Sequence, residues 1–226
     1  ILVTSDIHGV LEKFNNLLEV IEYNPAEDLL IILGDFVDRG PQILETIHKI
    51  MELQKNGAIV IRGNHEDLFE GTLKEMLDGV QQGRTYSHID CGGKETFNAV
   101  KDLSRNDLID IYEFIAGLPY AYTNGDYIFV HAGVNAGFDF EKNQADDFLW
   151  VRDEFIYNKA YKDKKVIFGH TPTCFMHPDP KKQRNVNECK IWHDPRYNDK
   201  IGVDCGVVFG GKLACLELPT MKEYYV

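Results

Sequence analysis

The chain has 226 residues, enough for one domain with a large apolar core, and we expect residues 1–226 to form a single domain. Hydrophobic residues make up 44% of the chain and charged residues 27%, which is typical of a soluble globular enzyme. The net charge of −12 argues against nucleic acid or an anionic membrane as the main partner, because both attract a basic protein face.

The sequence also indicates a compartment. No apolar run reaches the length of a membrane span, and no signal-peptide pattern precedes the first apolar segment. The five cysteines are scattered and form no Cys-x-x-Cys pair. This usage is typical of reduced thiols rather than of a disulfide framework or a thiolate metal site, so we expect a cytoplasmic protein.

The first third of the chain predicts alternating strands and helices. Apolar, β-branched runs predict strands over 1–5, 29–33 and 58–61, whereas apolar residues at helical spacing predict helices over 10–23 and 41–55. Two successive β-α-β units imply a parallel sheet with right-handed crossovers.

The rest of the chain is less regular. Residues 66–118 are predicted to be largely helical, with a break at 81–93, and we interpret them as an insertion beside the site. Asn124-Gly125 predicts a hairpin turn before a strand over 127–130, and 166–168 predicts another strand. Residues 171–196 predict a long surface loop, and the glycine-rich tail from Ile191 predicts an antiparallel sheet.

Five short clusters of chemically active residues come directly after predicted strands. They are Asp6-Ile7-His8-Gly9, Gly34-Asp35-Phe36-Val37-Asp38-Arg39-Gly40, Gly63-Asn64-His65-Glu66, His131-Ala132-Gly133 and Gly169-His170-Thr171. Open α/β sheets place their active sites at the carboxyl ends of strands. We therefore expect these clusters to converge on one point.

The clusters contain the ligand types of a dinuclear metal site. The candidate metal ligands are Asp6, His8, Asp35, Asn64, His131 and His170. Carboxylate, amide and imidazole ligands without thiolate suit Mn²⁺, Fe or Zn²⁺ better than a structural zinc site, and Asp35 could place one oxygen on each of two ions. Two such ions would hold a bridging hydroxide at neutral pH for direct attack on phosphorus.

The remaining cluster residues fit acid catalysis and phosphate binding. His65 follows a metal ligand and could protonate the leaving oxygen, while Asp38 could orient its imidazole. Arg39 offers a fork to phosphate, and Arg152 is a second candidate.

Some charged and imidazole side chains have a simpler interpretation. Arg152 could be an ordinary surface residue, and Arg62 is expected to form a structural ion pair. We expect no function for the four histidines outside the clusters, which are His48, His88, His177 and His193.

In these motifs the chain closely resembles the phosphoprotein phosphatase (PPP) superfamily, and within it the lambda-type serine/threonine phosphatases and the related diadenosine tetraphosphate hydrolases of bacteria and phage. The resemblance implies an α/β fold, a calcineurin-like metallophosphoesterase αββα sandwich with a helical insertion flanking the active site. It implies one metal on Asp6, His8 and Asp35, and a second on Asp35, Asn64, His131 and His170. It also assigns acid catalysis to His65 and Asp38, and phosphate binding to Arg39 and Arg152.

Two motifs depart from the family pattern. Ser5 precedes Asp6 where the family usually has glycine, and Ala132 follows His131 where a second glycine is usual. Both are exchanges between small residues, so we expect ligation to be preserved. Thr171 follows His170 where the wider metallophosphoesterase group often has Gly-His-x-His, which disfavours a phosphodiesterase of that kind.

Three functions are compatible with these patterns. The favoured one is hydrolysis of phosphomonoesters, chiefly phosphoserine and phosphothreonine on proteins, with two divalent ions for which Mn²⁺ is the first choice. The alternative is a dinucleoside polyphosphate hydrolase, for which the basic run Lys181, Lys182 and Arg184 could contact the phosphate chain. A non-catalytic scaffold of the same fold is disfavoured by the complete ligand set. The sequence does not fix the oligomeric state.

Overall fold

The computed structural model describes residues 1–135, 140–161, 163–177, 179, 183 and 185–226. Its strands are β1 (Leu2–Thr4), β2 (Leu30–Ile32), β3 (Ile59–Val60), β4 (Ala121–Asn124), β5 (Tyr127–Val130), β6 (Lys165–Phe168), β7 (Trp192–His193), β8 (Lys200–Gly202), β9 (Ala214–Glu217) and β10 (Lys222–Tyr225). Its α-helices are α1 (Leu11–Val20), α2 (Ile43–Lys55), α3 (Asn64–Asp78), α4 (Arg84–His88), α5 (Lys94–Val100), α6 (Arg105–Ala116), α7 (Ala145–Trp150) and α8 (Asp153–Ile156).

The strands form two five-stranded sheets. The first has the order β10-β9-β1-β2-β3, in which β1, β2 and β3 are parallel and joined through α1 and α2. This confirms the two predicted β-α-β units. The second sheet has the order β4-β5-β6-β8-β7, in which β5, β6 and β8 are parallel.

Antiparallel strands lie at the edges of both sheets. The Asn124-Gly125 signal is confirmed, because β4 and β5 form an antiparallel hairpin. The predicted antiparallel tail is correct for β7, β9 and β10. For β8 it is correct on one side only, because β8 pairs antiparallel with β7 but in parallel with β6. A parallel partner from another part of the chain leaves no local turn signal.

Alternating residues of the strands separate two layers of the core. Val3 and Ile31 face the second sheet, where they pack in one cluster with Phe129, Ile167 and Ile201. Their neighbours in the chain point the other way, and Leu2, Leu30 and Ile32 join Phe14 of α1 and Ile47 of α2. A third cluster packs α7 and α8 against the outer face of β5 and β6. The result is the expected αββα sandwich.

The helical region 64–116 differs from the prediction around its break. Residues 81–83 do interrupt the helices, but α4 begins at Arg84 and continues through a π-helical turn, Ile89–Gly93, into α5. Gly92 has φ +106° inside this turn. The glycines that indicated a loop instead allow a kink between two helices that pack beside α3.

The segment 171–196 is more buried than a surface loop. It contains short 3₁₀ turns at Thr173–Phe175 and Val186–Glu188, as well as β7. Cys174, Cys189 and Ile191 belong to the core between the sheets. Its basic residues Lys181, Lys182 and Arg184 lie outside the described residues. Among the helices that are described, none combines the length and apolar character needed to cross a bilayer.

Candidate active site

The predicted clusters follow β1, β2, β3, β5 and β6, and their side chains meet where the carboxyl ends of the two sheets' parallel strands come together. All six candidate metal ligands are buried, with exposures of 0–6%. Six of the clustered residues have left-handed backbone conformations, with φ between +46° and +70°: Asp6, His8, Asp35, Asp38, Arg39 and His170. Such backbone is costly for residues with side chains and tends to be kept at functional sites.

A buried carboxylate holds two of these loops in place. Glu66 accepts hydrogen bonds from the backbone N–H groups of Asp35 (2.7 Å), Phe36 (2.9 Å), Val37 (3.2 Å) and Gly63 (2.8 Å). Burial and the charge of Asp35 raise the pKa of Glu66 to about 7, whereas the four N–H donors favour its charged form. Glu66 therefore positions ligands from two strands without being one of them.

Close backbone approach explains the glycines between these loops. A Cβ on Gly63 would lie 2.2 Å from an oxygen of Asp35, and one on Gly40 would lie 2.0 Å from the carbonyl oxygen of His8. Neither distance is possible between non-bonded atoms. Glycine at both positions is what lets the loops after β1, β2 and β3 share one site.

Three ligand atoms from β3, β5 and β6 converge closely. Asn64 Oδ1 lies 2.9 Å from His131 Nε2 and 2.9 Å from His170 Nδ1, and the two nitrogens are 3.1 Å apart. Atoms that bind one ion at about 2.1 Å lie roughly 3 Å from one another. The spacing of this group therefore equals that of a coordination shell.

Asp35 lies at the centre of the site. Its Oδ2 atom is 3.4 Å from His131 Nε2, 3.8 Å from His8 Nε2 and 3.9 Å from His65 Nε2. The described residues contain two groups able to hold a metal ion, His8–Asp35–His65 and Asp35–His131–His170, and Asp35 is common to both. This is the position that the sequence predicted for a bridging carboxylate.

The histidine tautomers also suit metal binding. Nδ1–H of His8 donates to the carbonyl of Val37, and Nδ1–H of His131 donates to the carbonyl of Leu33, each over 2.8 Å. These bonds direct Nε2 of both rings toward the other candidate ligands, where an unprotonated Nε2 could bind a cation. Burial lowers the pKa of His8 to about 3, which keeps its imidazole neutral, as metal ligation requires.

His131 shows how strongly the site attracts positive charge. Burial disfavours the charged imidazole, but the Asp35 carboxylate outweighs burial and raises the pKa of His131 to about 9. A proton on Nε2 then occupies the position where a cation would bind. His170 Nε2 is buried without a hydrogen-bond partner.

Asp6 lies at the same site but is turned slightly away from the ligand groups. Its Oδ2 accepts hydrogen bonds from the backbone N–H of His170 (2.9 Å) and from the Ser5 hydroxyl. Burial and the nearby Asp35 charge raise the pKa of Asp6. Ser5, the departure noted in the first motif, therefore holds the ligand carboxylate through a bond that glycine could not make.

Together these observations fit two divalent cations. The donors are carboxylate, amide and imidazole groups, and two of the carboxylates are buried close together. The donor atoms of Asn64, His131 and His170 lie about as far apart as the ligand atoms of one coordination shell. The donor set is compatible with Mn²⁺, Fe and Zn²⁺ alike.

The proposed acid pair is formed. His65 Nδ1 lies 2.5 Å from Asp38 Oδ2, and Asp38 is fully buried. Burial lowers the pKa of His65, but Asp35 and Asp38 outweigh burial, so the net pKa is raised. A raised pKa favours the protonated imidazole, the form that an acid requires.

His88, for which the sequence predicted no function, contacts the other side of Asp38. Its Nε2 lies 2.9 Å and 3.0 Å from the two Asp38 oxygens, and its Nδ1 lies 2.9 Å from the Thr72 hydroxyl. The Thr96 hydroxyl also donates to Asp38, over 2.5 Å. Burial raises the pKa of Asp38, but the hydrogen bonds from His65 and His88 reverse this and leave it well below its usual value.

Both candidate arginines reach the site. Arg39 contacts Nε2 of His65 over 2.7 Å and Nε2 of His8. Arg152 donates to the His170 carbonyl (3.1 Å) and the Thr171 hydroxyl (2.8 Å). Both line a cleft of about 200 Å³ together with the ligands Asp6, His8 and His170. Arg62 instead pairs with Asp67 and Glu70, which confirms its structural role.

The other unassigned histidines lie outside this constellation. His193 pairs with Glu223 over 2.8 Å at the far edge of the second sheet. His177 Nδ1 accepts a hydrogen bond from the backbone N–H of Asp179, and His48 is exposed on α2.

A sequence model of the calcineurin-like phosphoesterase family matches residues 1–211. The chain belongs to this family. It is therefore a metallophosphoesterase, a hydrolase whose family uses divalent metals, and the fold and motifs above agree with that assignment.

Known proteins of the family resemble the chain over its whole length. The asymmetrical bis(5′-nucleosyl)-tetraphosphatase PrpE of Anoxybacillus flavithermus is 26% identical and covers 99% of this chain and 92% of its own. A solved structure assigned to a diadenosine tetraphosphatase has a TM-score of 0.70 at 18% identity, covering 100% of this chain and 91% of that one. A cold-active protein-tyrosine phosphatase of Shewanella has a TM-score of 0.59 at 15% identity, covering 99% and 79%. The two structural likenesses confirm the fold.

Proposed function

We propose that this metallophosphoesterase hydrolyses dinucleoside polyphosphates of the diadenosine tetraphosphate type. The observation that carries the proposal is the similarity to an asymmetrical bis(5′-nucleosyl)-tetraphosphatase, which extends over 99% of this chain. The motifs alone favoured phosphoproteins, because the sequence contains no readable base-binding pattern. The relatives reverse that preference, and the phosphoprotein becomes the second candidate.

The candidate ligands would hold two cations. Asp6, His8 and Asp35 would hold one cation, and Asp35, Asn64, His131 and His170 the other. When bound, the cations supply an activated water and neutralise charge on the phosphate. The remaining chemistry belongs to the chain's own side chains.

Arg39 and Arg152 would bind the phosphate chain. Each guanidinium lines the cleft, and each presents N–H groups that match phosphate oxygens. In the ligand-free arrangement Arg39 donates to imidazole nitrogens of His8 and His65. A phosphate that attracts Arg39 would release Nε2 of His65, so that substrate binding and the readiness of the acid are coupled.

His65 would protonate the oxygen that leaves. Its Nδ1–H remains on Asp38, and its Nε2 lies 3.9 Å from Asp35 Oδ2 and 2.7 Å from Arg39. A nucleotide leaving from a phosphoanhydride needs less protonation than an alkoxide leaving from a phosphoserine ester. The contribution of His65 should therefore be smaller for the proposed substrate than for a phosphoprotein.

A substrate panel tests the proposal. Enzyme reconstituted with Mn²⁺ is assayed on diadenosine tetraphosphate, phosphothreonine and phosphotyrosine peptides, and p-nitrophenyl phosphate. We expect kcat/KM for diadenosine tetraphosphate to exceed that for the peptides by at least tenfold. The Asp35→Asn variant is the matched control for contaminating phosphatases. A preference for either peptide would overturn the proposal, and inactivity on all four would favour the scaffold.

A further inference from the structure

The mouth of the catalytic cleft carries exposed aromatic side chains. Of the seven large hydrophobic residues exposed in the described part of the chain, Phe209 (54%) and Phe175 (45%) line the same cleft as Arg39 and Arg152. Two exposed aromatic rings beside a cationic cleft form a surface that an aromatic group of a ligand could cover.

Phe209 lies on a defined backbone turn. It ends a 3₁₀ turn, Val207–Phe209, between two left-handed glycines, Gly206 and Gly210. The turn is fixed by hydrogen bonds from Gly206 N–H to Asp204 Oδ1 (2.8 Å) and from Gly211 N–H to the Gly206 carbonyl (2.9 Å). A ring carried on such a turn can meet a ligand without rearrangement of the backbone.

The Phe209 ring also lies directly beside Arg39, one of the two side chains proposed to bind phosphate. The Arg39 guanidinium carbon lies 5.4 Å from the centre of the Phe209 ring, within the range of a cation–π contact. Phe175, on the 3₁₀ turn Thr173–Phe175, lines the same cleft beside Pro172 and His170. The Thr173 hydroxyl anchors that turn to the Lys190 carbonyl over 2.7 Å.

We propose that Phe209, with Phe175, forms a stacking platform for the nucleobase of a nucleotide whose phosphate chain lies on Arg39 and Arg152. This rests on the proposed function and names the part of the site that recognises the nucleoside. The cleft of about 200 Å³ is smaller than typical pockets for drug-sized ligands, roughly 300–1,000 Å³, so the base lies outside it, at the aromatic rim. Stacking accepts any base, because every base has a π-face.

The arrangement favours a nucleotide over a phosphopeptide. In a nucleotide the ribose separates the base from the phosphate. A phosphate bound to Arg39 and Arg152 would therefore place the base at the aromatic rim formed by Phe209 and Phe175. The side chains of phosphoserine and phosphothreonine carry no ring. The ring of phosphotyrosine is joined directly to its phosphate oxygen, without a ribose between them.

The test compares two ligands that differ only in the base. AMP and ribose 5-phosphate are measured as inhibitors of p-nitrophenyl phosphate hydrolysis, and the ratio of their inhibition constants isolates the base. In the wild type AMP should bind more tightly by about 5-fold to 100-fold, the usual effect of one stacked base. The ratio cancels any change in phosphate binding or turnover.

Variants assign the effect to the rim. Phe209→Ala should bring the ratio close to one, Phe209→Trp should preserve it, and Phe175→Ala should reduce it. Tyr197→Ala removes another exposed aromatic side chain, which does not line the cleft, and should leave the ratio as in the wild type. An unchanged ratio in Phe209→Ala overturns the platform. So does a wild-type ratio near one, above all if Phe209→Ala selectively raises KM for phosphotyrosine.

Failure of the stacking platform can be distinguished from failure of the proposed function. A wild-type enzyme that shows the base-dependent ratio but does not cleave diadenosine tetraphosphate would have the platform and a different nucleotide substrate. An enzyme that cleaves diadenosine tetraphosphate with the same KM in wild type and Phe209→Ala would have the function without the platform.

Discussion

His88 is expected to stabilise the His65–Asp38 pair through its contact with Asp38. Replacing His88 tests this arrangement directly. His88→Phe keeps a ring beside Phe69, whose centroid lies 5.6 Å away, but removes the hydrogen bonds to Asp38 and Thr72. His88→Gln keeps a side-chain donor for Asp38. His193→Phe is the matched control, because that histidine is 41% exposed and lies far from the cleft.

The expected magnitude follows from the contacts. A hydrogen bond to a charged group contributes about 1.5–3 kcal/mol, so His88→Phe should lower the free energy of unfolding by about that amount. Asp38 would keep the donors His65 and Thr96, so the acid should be displaced and not lost. We therefore expect kcat for an alkyl phosphate to fall by roughly tenfold, about 1.4 kcal/mol. His65→Asn should cost more, about 10²–10⁴-fold.

Two measurements separate positioning from simple destabilisation. Urea unfolding of metal-free protein gives the stability change without a contribution from bound metal. The ratio of kcat for an alkyl phosphate to kcat for p-nitrophenyl phosphate reports the acid, because p-nitrophenolate departs with little protonation. His88→Phe should lower this ratio, His88→Gln should restore much of it, and His193→Phe should change neither quantity. An unchanged ratio with lowered stability would make His88 purely structural, and no change in either would refute the contact.

Further predictions concern the metals, the phosphate and pH. Asp35→Asn should lose both metals by elemental analysis, and chelated wild type should be inactive until Mn²⁺ is restored; full activity without metal would contradict the site. Arg152→Ala should raise KM and weaken inhibition by free phosphate, unless the side chain only ties Thr171 to its loop. Glu75 accepts hydrogen bonds from Thr85, Arg84 and Gln82, which lower its pKa to about 2. Because the folded pKa is depressed, its stabilisation is present above about pH 4.5 and lost as pH falls toward 2. Glu75→Gln should show a shallower loss of unfolding free energy in that window than the wild type, and identical slopes would contradict the assignment.

The convergence of the site residues could be predicted because each of them is recognised from its immediate neighbours in the chain. Each ligand comes directly after an apolar strand, and parallel strands of a sheet end at one edge, so Asp6, Asp35 and Asn64 had to meet. His131 and His170 belong to the other sheet. Packing of the two sheets against each other brings the two edges together. This packing was implied by the family resemblance and not by the strand pattern.

Residues that act through tertiary contacts were not predictable in the same way. His88 reaches Asp38 across 50 positions of sequence, by way of a π-helical turn that the glycines had indicated as a loop. Gly93 is part of this arrangement, because a Cβ there would lie 2.3 Å from the His88 ring. Glu66 looked like the end of a motif, and its four backbone N–H partners become visible only when two loops fold together.

The backbone of the site ties its stability to its function. Nine non-glycine residues in the described chain have positive φ, and six of them are site residues. Each such conformation costs of order 1–3 kcal/mol, and the buried carboxylates Asp6 and Asp35 repel one another in addition. Glu66 and the carbonyls that orient His8 and His131 offset part of that cost by hydrogen bonding. Binding of a cation would offset the rest of this free-energy cost, because the cation interacts with the lone pairs that the strained loops bring together. A fold that relaxed these loops would be more stable without metal, and it would lose the spacing of about 3 Å among the ligand atoms of Asn64, His131 and His170.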